Sequence, residues 1–295
     1  MVLVIFLLAY VIRRKLDRQE AFSSDGFWRI WFQRGATTES GRENSLVKGY
    51  ALIILPAICL MVLTVIAEQL GFRLALYPLE MVLLVLLMGV PGWQSSLKVY
   101  SGAWARGDMQ GAWHHVKDRL PADERGAALS PEALHLSISK TLILCVFDRF
   151  FLVVFWYVIG GIGAAVLARG ALALAEHWPQ AGARPAYRKM ADWIGWLPAR
   201  LLACTFGLAG DLSGWSRKVR HVVPGFKKST SEVLMISANG SLTGYALDPE
   251  RFSELHPEDW PRFGGRSLIA IRDLLSRSML VWICAIALLV IAGVV

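Results

Sequence analysis

Five ionisable side chains carry the chemistry that this sequence could offer. Asp148 and Arg149 stand inside an apolar run, residues 141–175, whose other charged residue is Arg169. Arg200 lies two residues after Pro198 in a second apolar run, 193–208. An arginine at membrane depth costs about 2.5–3.5 kcal/mol unless it snorkels or finds a partner, so such residues are functional candidates by default. Glu232 sits in Ser229-Thr230-Ser231-Glu232, followed by Val-Leu-Met. A serine followed three positions later by glutamate also starts helices, so Glu232 is either a site residue or a cap. His114 and His115 are neighbours on a polar segment with no cysteine or third histidine at ligand spacing, which predicts solvated side chains and no metal site. No nucleophile elbow, phosphate loop or zinc pattern occurs.

Apolar helices must position these residues. The chain has 295 residues, of which 55% are hydrophobic and 18% charged. Soluble domains carry about 25% charged residues, so the composition is that of an integral membrane protein. Six apolar runs stand out: 1–12, 51–67, 74–90, 141–175, 193–208 and 278–295. Set against the roughly 20 residues that a crossing needs, they predict an all-α, polytopic membrane protein of about six hydrophobic helices, the first too short for a full crossing. Runs 51–67 and 74–90 form a helical hairpin. The 141–175 run is one long tilted helix or two pieces broken at Gly160, Gly161 and Gly163, where helix packing is the expected role of glycine. The whole of 1–295 reads as one membrane domain with polar segments 13–48, 92–140 and 210–277. In the first of these, Phe27, Trp28, Ile30, Trp31 and Phe32 lie among charges. They form either an interfacial helix on the membrane or a segment docked on the protein body.

Charge patterning gives an orientation. Segment 13–48 carries eight Lys/Arg and segment 210–277 ten. The net charge of +8 is therefore set in loops between apolar runs, which points to anionic lipid and not to nucleic acid. Residues 1–12 are apolar from the start, with Arg13, Arg14 and Lys15 after them, the order of a retained anchor and not of a cleaved signal. With the three basic segments in the cytoplasm, the crossings alternate. Cys59, Cys145, Cys204 and Cys284 each lie in an apolar run and read as small buried hydrophobes, with no disulfide framework.

Several motifs resemble the CobD/CbiB superfamily and, within it, the AmpE branch. They are Ala105-Arg106-Gly107-Asp108, then Phe155-Trp156 with Gly160-Gly161, and Asp192-x-x-x-Trp196-x-Pro198-Ala199-Arg200-Leu201. The resemblance implies a CobD/CbiB-like membrane fold in the bacterial inner membrane. In that superfamily the synthase joins a corrin carboxylate to aminopropanol or its phosphate with ATP and magnesium. Its polar residues are mostly replaced here. Its Glu-Asn-x-x-Asp-Gly reads Leu144-Cys145-x-x-Asp148-Arg149, its Arg-x-x-Asn-x-x-Asp reads Arg169-x-x-Leu172-x-x-Ala175, and its Pro-Asn-x-x-x-Pro-Glu loop reads 226–232, keeping Glu232.

The departures favour the AmpE branch, whose members are described as inner-membrane regulators linked to the β-lactam response and cell-wall recycling. The resemblance then implies no catalytic residue, no metal and no cofactor. Asp148, Arg169, Arg200 and Glu232 would line a ligand or partner cavity, and Trp196, Pro198, Gly160 and Gly161 would serve as structural motif positions. Expected partners are the lipid bilayer, a small molecule or membrane protein, and a second copy of the chain. An active synthase using ATP and Mg is the alternative. A transporter, suggested by the broken run at Gly160–Gly163, is a third.

Overall fold

The computed structural model describes residues 2–18, 24–36, 46–89, 93–120, 125, 130–219, 228–242 and 246–293, and no strand occurs among them. In chain order the helices are α1 (Val2–Arg18), α2 (Ser24–Gly35), α3 (Leu46–Gln69) and α4 (Arg73–Leu87). Then come α5 (Trp93–Ala105), α6 (Met109–Val116), α7 (Pro131–Val146), a π-helical turn (Phe147–Phe151) and α8 (Leu152–His177). They are followed by α9 (Arg184–Ala209), α10 (Leu212–Val219), α11 (Thr230–Ser241), α12 (Pro249–Leu255) and α13 (Trp260–Ile291). The chain forms two compact units: Met1–Pro91, Phe147–Pro198 and Ala285–Val295 make the first, Gly92–Val146 and Ala199–Cys284 the second.

In the first unit, α3 and α4 form the hairpin that the sequence predicts, with Arg73 paired to Glu68 at the turn. Helix α3 packs along α8. The approach is close enough that a Cβ on Gly163 would lie 2.7 Å from the Ala57 carbonyl oxygen, and one on Gly170 would lie 3.0 Å from Ile53 Cγ2. Glycines seat α3 here because the axes come nearer than any side chain permits. Of the two alternatives for the long apolar run, the break at the glycines is the one found. Gly160 and Gly161 leave helical geometry at φ −130°, ψ 17° and φ 69°, ψ −166°, and the second of these is open to glycine at no steric cost. Arg13 turns inward from α1: it is 3% exposed, pairs with Asp17 at 2.8 Å and donates to the Val85 carbonyl at the end of α4. That places a cation where the helix dipole favours one.

Pro56 lies inside α3 and cannot donate to the carbonyl four residues back, that of Leu52. The indole N–H of Trp31 donates to that oxygen at 3.3 Å. The proline and the tryptophan therefore tie α2 to α3. Trp28 and Phe32 of α2 are buried, and Phe32 meets Trp178 edge-on at 5.9 Å.

The second unit is organised by a buried polar chain. Tyr100 Oη lies 3.2 Å from His135 Nδ1, His135 Nε2 lies 2.8 Å from Ser267 Oγ, and Ser267 donates to the Ala246 carbonyl. The serine hydrogen is committed to a carbonyl, so His135 donates from Nε2 and accepts at Nδ1 from Tyr100. Every donor then has an acceptor. Trp104 and Phe263 enclose the imidazole, at 5.4 and 4.9 Å between ring centres. Caps set the helix starts: Asp108 accepts from Gly111 N at 2.8 Å for α6, Asp248 from Arg251 N for α12, and Ser229 for α11. The Ala105-Arg106-Gly107-Asp108 motif is thus the hinge between α5 and α6.

Three stretches among the described residues are long and apolar enough to cross a membrane: Leu46–Gln69, Pro131–His177 and Pro257–Ile291. The six apolar runs of the sequence fall on α1, α3, α4, α7–α8, α9 and α13, and those three stretches are the ones that reach crossing length and hydropathy. Helix α1 has 17 residues and α4 has 15, and α9 carries Arg184, Arg188, Lys189, Asp192 and Arg200. Crossing a hydrocarbon core takes about 20 residues at 1.5 Å each. The expected burial of the cysteines is corrected: Cys59, Cys204 and Cys284 are exposed and Cys145 is half-buried. A membrane run is apolar on its outer side as well as its inner, so an apolar neighbourhood does not imply burial.

Candidate functional site

The charged residues of the first unit converge on α8. Asp148 and Arg149 lie on the π-helical turn that precedes it, a distortion that often marks function. Arg149 donates to the Gly89 carbonyl at 3.3 Å. Arg169 is 1% exposed and faces Glu176, two turns further along α8, at 3.9 Å. Glu176 also lies 3.6 Å from His177 Nε2. Asp148 is within electrostatic range of Glu176, Arg169, Arg149 and Arg188. Asp148 thus has three guanidinium groups and one carboxylate within range, and Arg188 also interacts with the Asp192 carboxylate, so the charges balance. The arginine forks are the donors that an anionic group would use there.

The second unit holds the other two predicted residues. Arg200 is 5% exposed and donates to the Lys228 carbonyl at 3.1 Å. Glu232 accepts from the Ser229 backbone N–H at 3.0 Å, and Ser229 Oγ accepts from the Glu232 N–H. This is a reciprocal capping box. The backbone and hydroxyl donors of Ser229 hold the Glu232 carboxyl below the usual carboxylate range. Arg200 and Glu232 therefore meet at one place, the start of α11. Positions 226 and 227 of the preceding loop lie outside the described residues.

The motif positions lie at a helix break and within a helix. Gly160 and Gly161 make the break in α8. Trp196 and Pro198 lie within α9, which continues through the proline. Trp156 donates to the Ile194 carbonyl at 3.2 Å. His114 and His115 are exposed at the end of α6, as predicted.

The sequence reading did not single out Glu176, Arg188 or the Tyr100–His135–Ser267 chain. Glu176 was reachable, because a separation of seven residues from Arg169 places both on one face of a helix. The buried chain joins positions 35 and 132 residues apart, and no local pattern signals that pairing.

A magnesium–nucleotide group is held by one or two carboxylates together with water and the nucleotide's own phosphates. Among the described residues, no three His, Cys, Asp or Glu side chains come together to hold a metal ion. The Glu232 carboxylate accepts from its own helix start, and Asp148 lies within electrostatic range of Glu176 and of three arginines.

An all-α fold with three membrane-length apolar stretches among the described residues defines an integral membrane protein. A family model described as "Regulatory signalling modulator protein AmpE" matches residues 1–243, and the chain belongs to that family. It is also similar to "Cobalamin biosynthesis protein CobD" of Stutzerimonas stutzeri (strain A1501), at 26% identity over 282 residues, covering 91% of this chain and 84% of the relative. No solved structure matches it.

Proposed function

We propose that this protein is a non-catalytic regulator in the bacterial inner membrane, crossing it more than once. It senses an anionic group of a small molecule or partner protein at the Asp148–Arg149–Arg169–Glu176 cluster, and its output is the β-lactam response tied to cell-wall recycling. The family match supports the regulatory role. The observation that carries the ligand chemistry is Arg169, 1% exposed and 3.9 Å from Glu176, with Arg149 and Arg188 within electrostatic range of the neighbouring Asp148.

A second reading is an amide-forming synthase of altered substrate that uses ATP and magnesium. The similarity to the CobD protein over 91% of this chain favours it. Saturating ATP with magnesium separates the two. A protein that binds nucleotide only in its native state melts higher in its presence. The regulatory reading expects no shift in Tm and no nucleotide turnover by the purified protein. Turnover lost on Asp148→Asn would overturn it.

A further inference from the structure

The geometry points to α2 as an interfacial helix, one of whose three faces is inserted among lipid acyl chains. Helical periodicity sorts the residues into three groups about a third of a turn apart. Trp28, Phe32 and Gly35 face the protein: Trp28 is 5% and Phe32 0% exposed, and the Trp28 ring lies against Gly170 of α8. Arg29 and Gln33 form an exposed polar face. Phe27, Ile30 and Trp31, at spacing i, i+3, i+4, form the last face, are 60%, 53% and 38% exposed, and are followed on the same face at i+7 by Arg34 in the last turn.

A soluble protein has no use for a third face of this kind. Two faces, one apolar and inward and one polar and outward, suffice for a helix at a protein–water boundary. A helix where protein, hydrocarbon and water meet needs all three.

Three observations identify lipid as the occupant. The exposed aromatics form one surface, with Phe27 stacked on Trp31 at 6.0 Å and 19°. Trp31 is also the residue anchored to α3 through the Leu52 carbonyl, so the face abuts the flank of a membrane-length helix whose own Leu55 is 61% and Ile58 50% exposed. Finally, the polar face carries Arg29, and Arg34 ends the apolar face in the last turn, where its long side chain reaches out toward phosphate headgroups. The indole of Trp31 has the amphipathic form that settles at that depth.

The test uses the full chain in phosphatidylcholine/phosphatidylglycerol vesicles, with its four cysteines replaced by alanine and a spin label at Phe27→Cys, Ile30→Cys or Gln33→Cys. Collision with oxygen, which concentrates in the bilayer, is compared with collision with a water-soluble nickel chelate. The oxygen-to-nickel ratio is expected to be severalfold higher at 27 and 30 than at 33. Equal ratios at all three sites would place the face in water and overturn the inference. Labels at 27 and 30 shielded from both reagents would mean cover by protein, a second copy included, and would also overturn it. The unmodified chain gives an independent readout. A phospholipid with a photoactivatable group near the glycerol end of its acyl chain should label the peptide containing Phe27–Trp31, and absence of label there, with label present on the α3 peptide, would count against the proposal.

Discussion

Trp156 donates its indole hydrogen to the Ile194 carbonyl at 3.2 Å, and Ile194 is the residue whose helical donor Pro198 removes. A proline at position i cannot bond the carbonyl at i−4. The Phe155-Trp156 motif on α8 thus repairs the defect that the proline of the Asp192–Leu201 motif creates on α9. The Trp31–Leu52 bond does the same for Pro56 in α3. The two motifs are the halves of one joint in the first unit.

The joint predicts a coupling. Trp156→Phe should destabilise the protein by about 1–2 kcal/mol, the cost of an unmet carbonyl plus a lost hydrogen bond. In a Pro198→Ala background, residue 198 again donates to Ile194, so the same substitution should cost less, by about 1 kcal/mol. A double-mutant cycle of unfolding in mild detergent reads this coupling, and additivity would refute it.

The close approach of α3 and α8 makes a second prediction. Gly163→Ala should destabilise the protein by about 1–3 kcal/mol through overpacking, because its Cβ would meet Ala57 and Met61. Gly265→Ala, whose Cβ would sit 3.7 Å from Ser101, is the tolerated control. Thermal unfolding of the two variants in one detergent checks the contrast.

How much of this was legible in the sequence varies by residue. The break at Gly160–Gly161, the hairpin of α3 and α4 and the cap at Ser229 were all readable, because each depends on residues close together in the chain. The three-span result was less so, since an apolar run records composition and not whether its helix reaches 20 residues. The inward turn of Arg13 reads from sequence as one more loop cation. The predicted site divides by unit: Asp148 and Arg169 join Glu176 in the first, while Arg200 and Glu232 build the start of α11 in the second. Single charged residues in apolar runs announce that they need partners, but not which ones.

The capping box gives a pH dependence. The folded carboxyl of Glu232 titrates below its ordinary value of 4.5, so the stability it contributes is present above that value and is lost as the pH falls through the folded value. Exchange of the Ser229 amide, corrected for its intrinsic rate, should be protected at pH 6 and lose protection toward pH 3. Glu232→Gln, which can still accept, should show little change with pH, and Glu232→Ala should be unprotected at both.

In the second unit, His135→Phe should remove the acceptor of Tyr100 and the donor to Ser267 from a buried site. The expected cost is about 2–6 kcal/mol, at about 1–3 kcal/mol for each buried polar group left unmet. Ser267→Ala, which leaves both His135 Nε2 and the Ala246 carbonyl without their partner, should cost as much. Denaturation midpoints of the two variants check that match, and a Ser267→Ala midpoint equal to that of the native protein would contradict it.

The regulatory account rests on Asp148 and its guanidinium neighbours, so the most direct measurement is induction of β-lactamase by a β-lactam in cells carrying Asp148→Asn. Membrane levels of variant and native protein are matched, which separates signalling from folding. The account predicts altered induction, because neutralising one of two carboxylates changes the charge that the ligand meets. Induction indistinguishable from that of the native protein would contradict it.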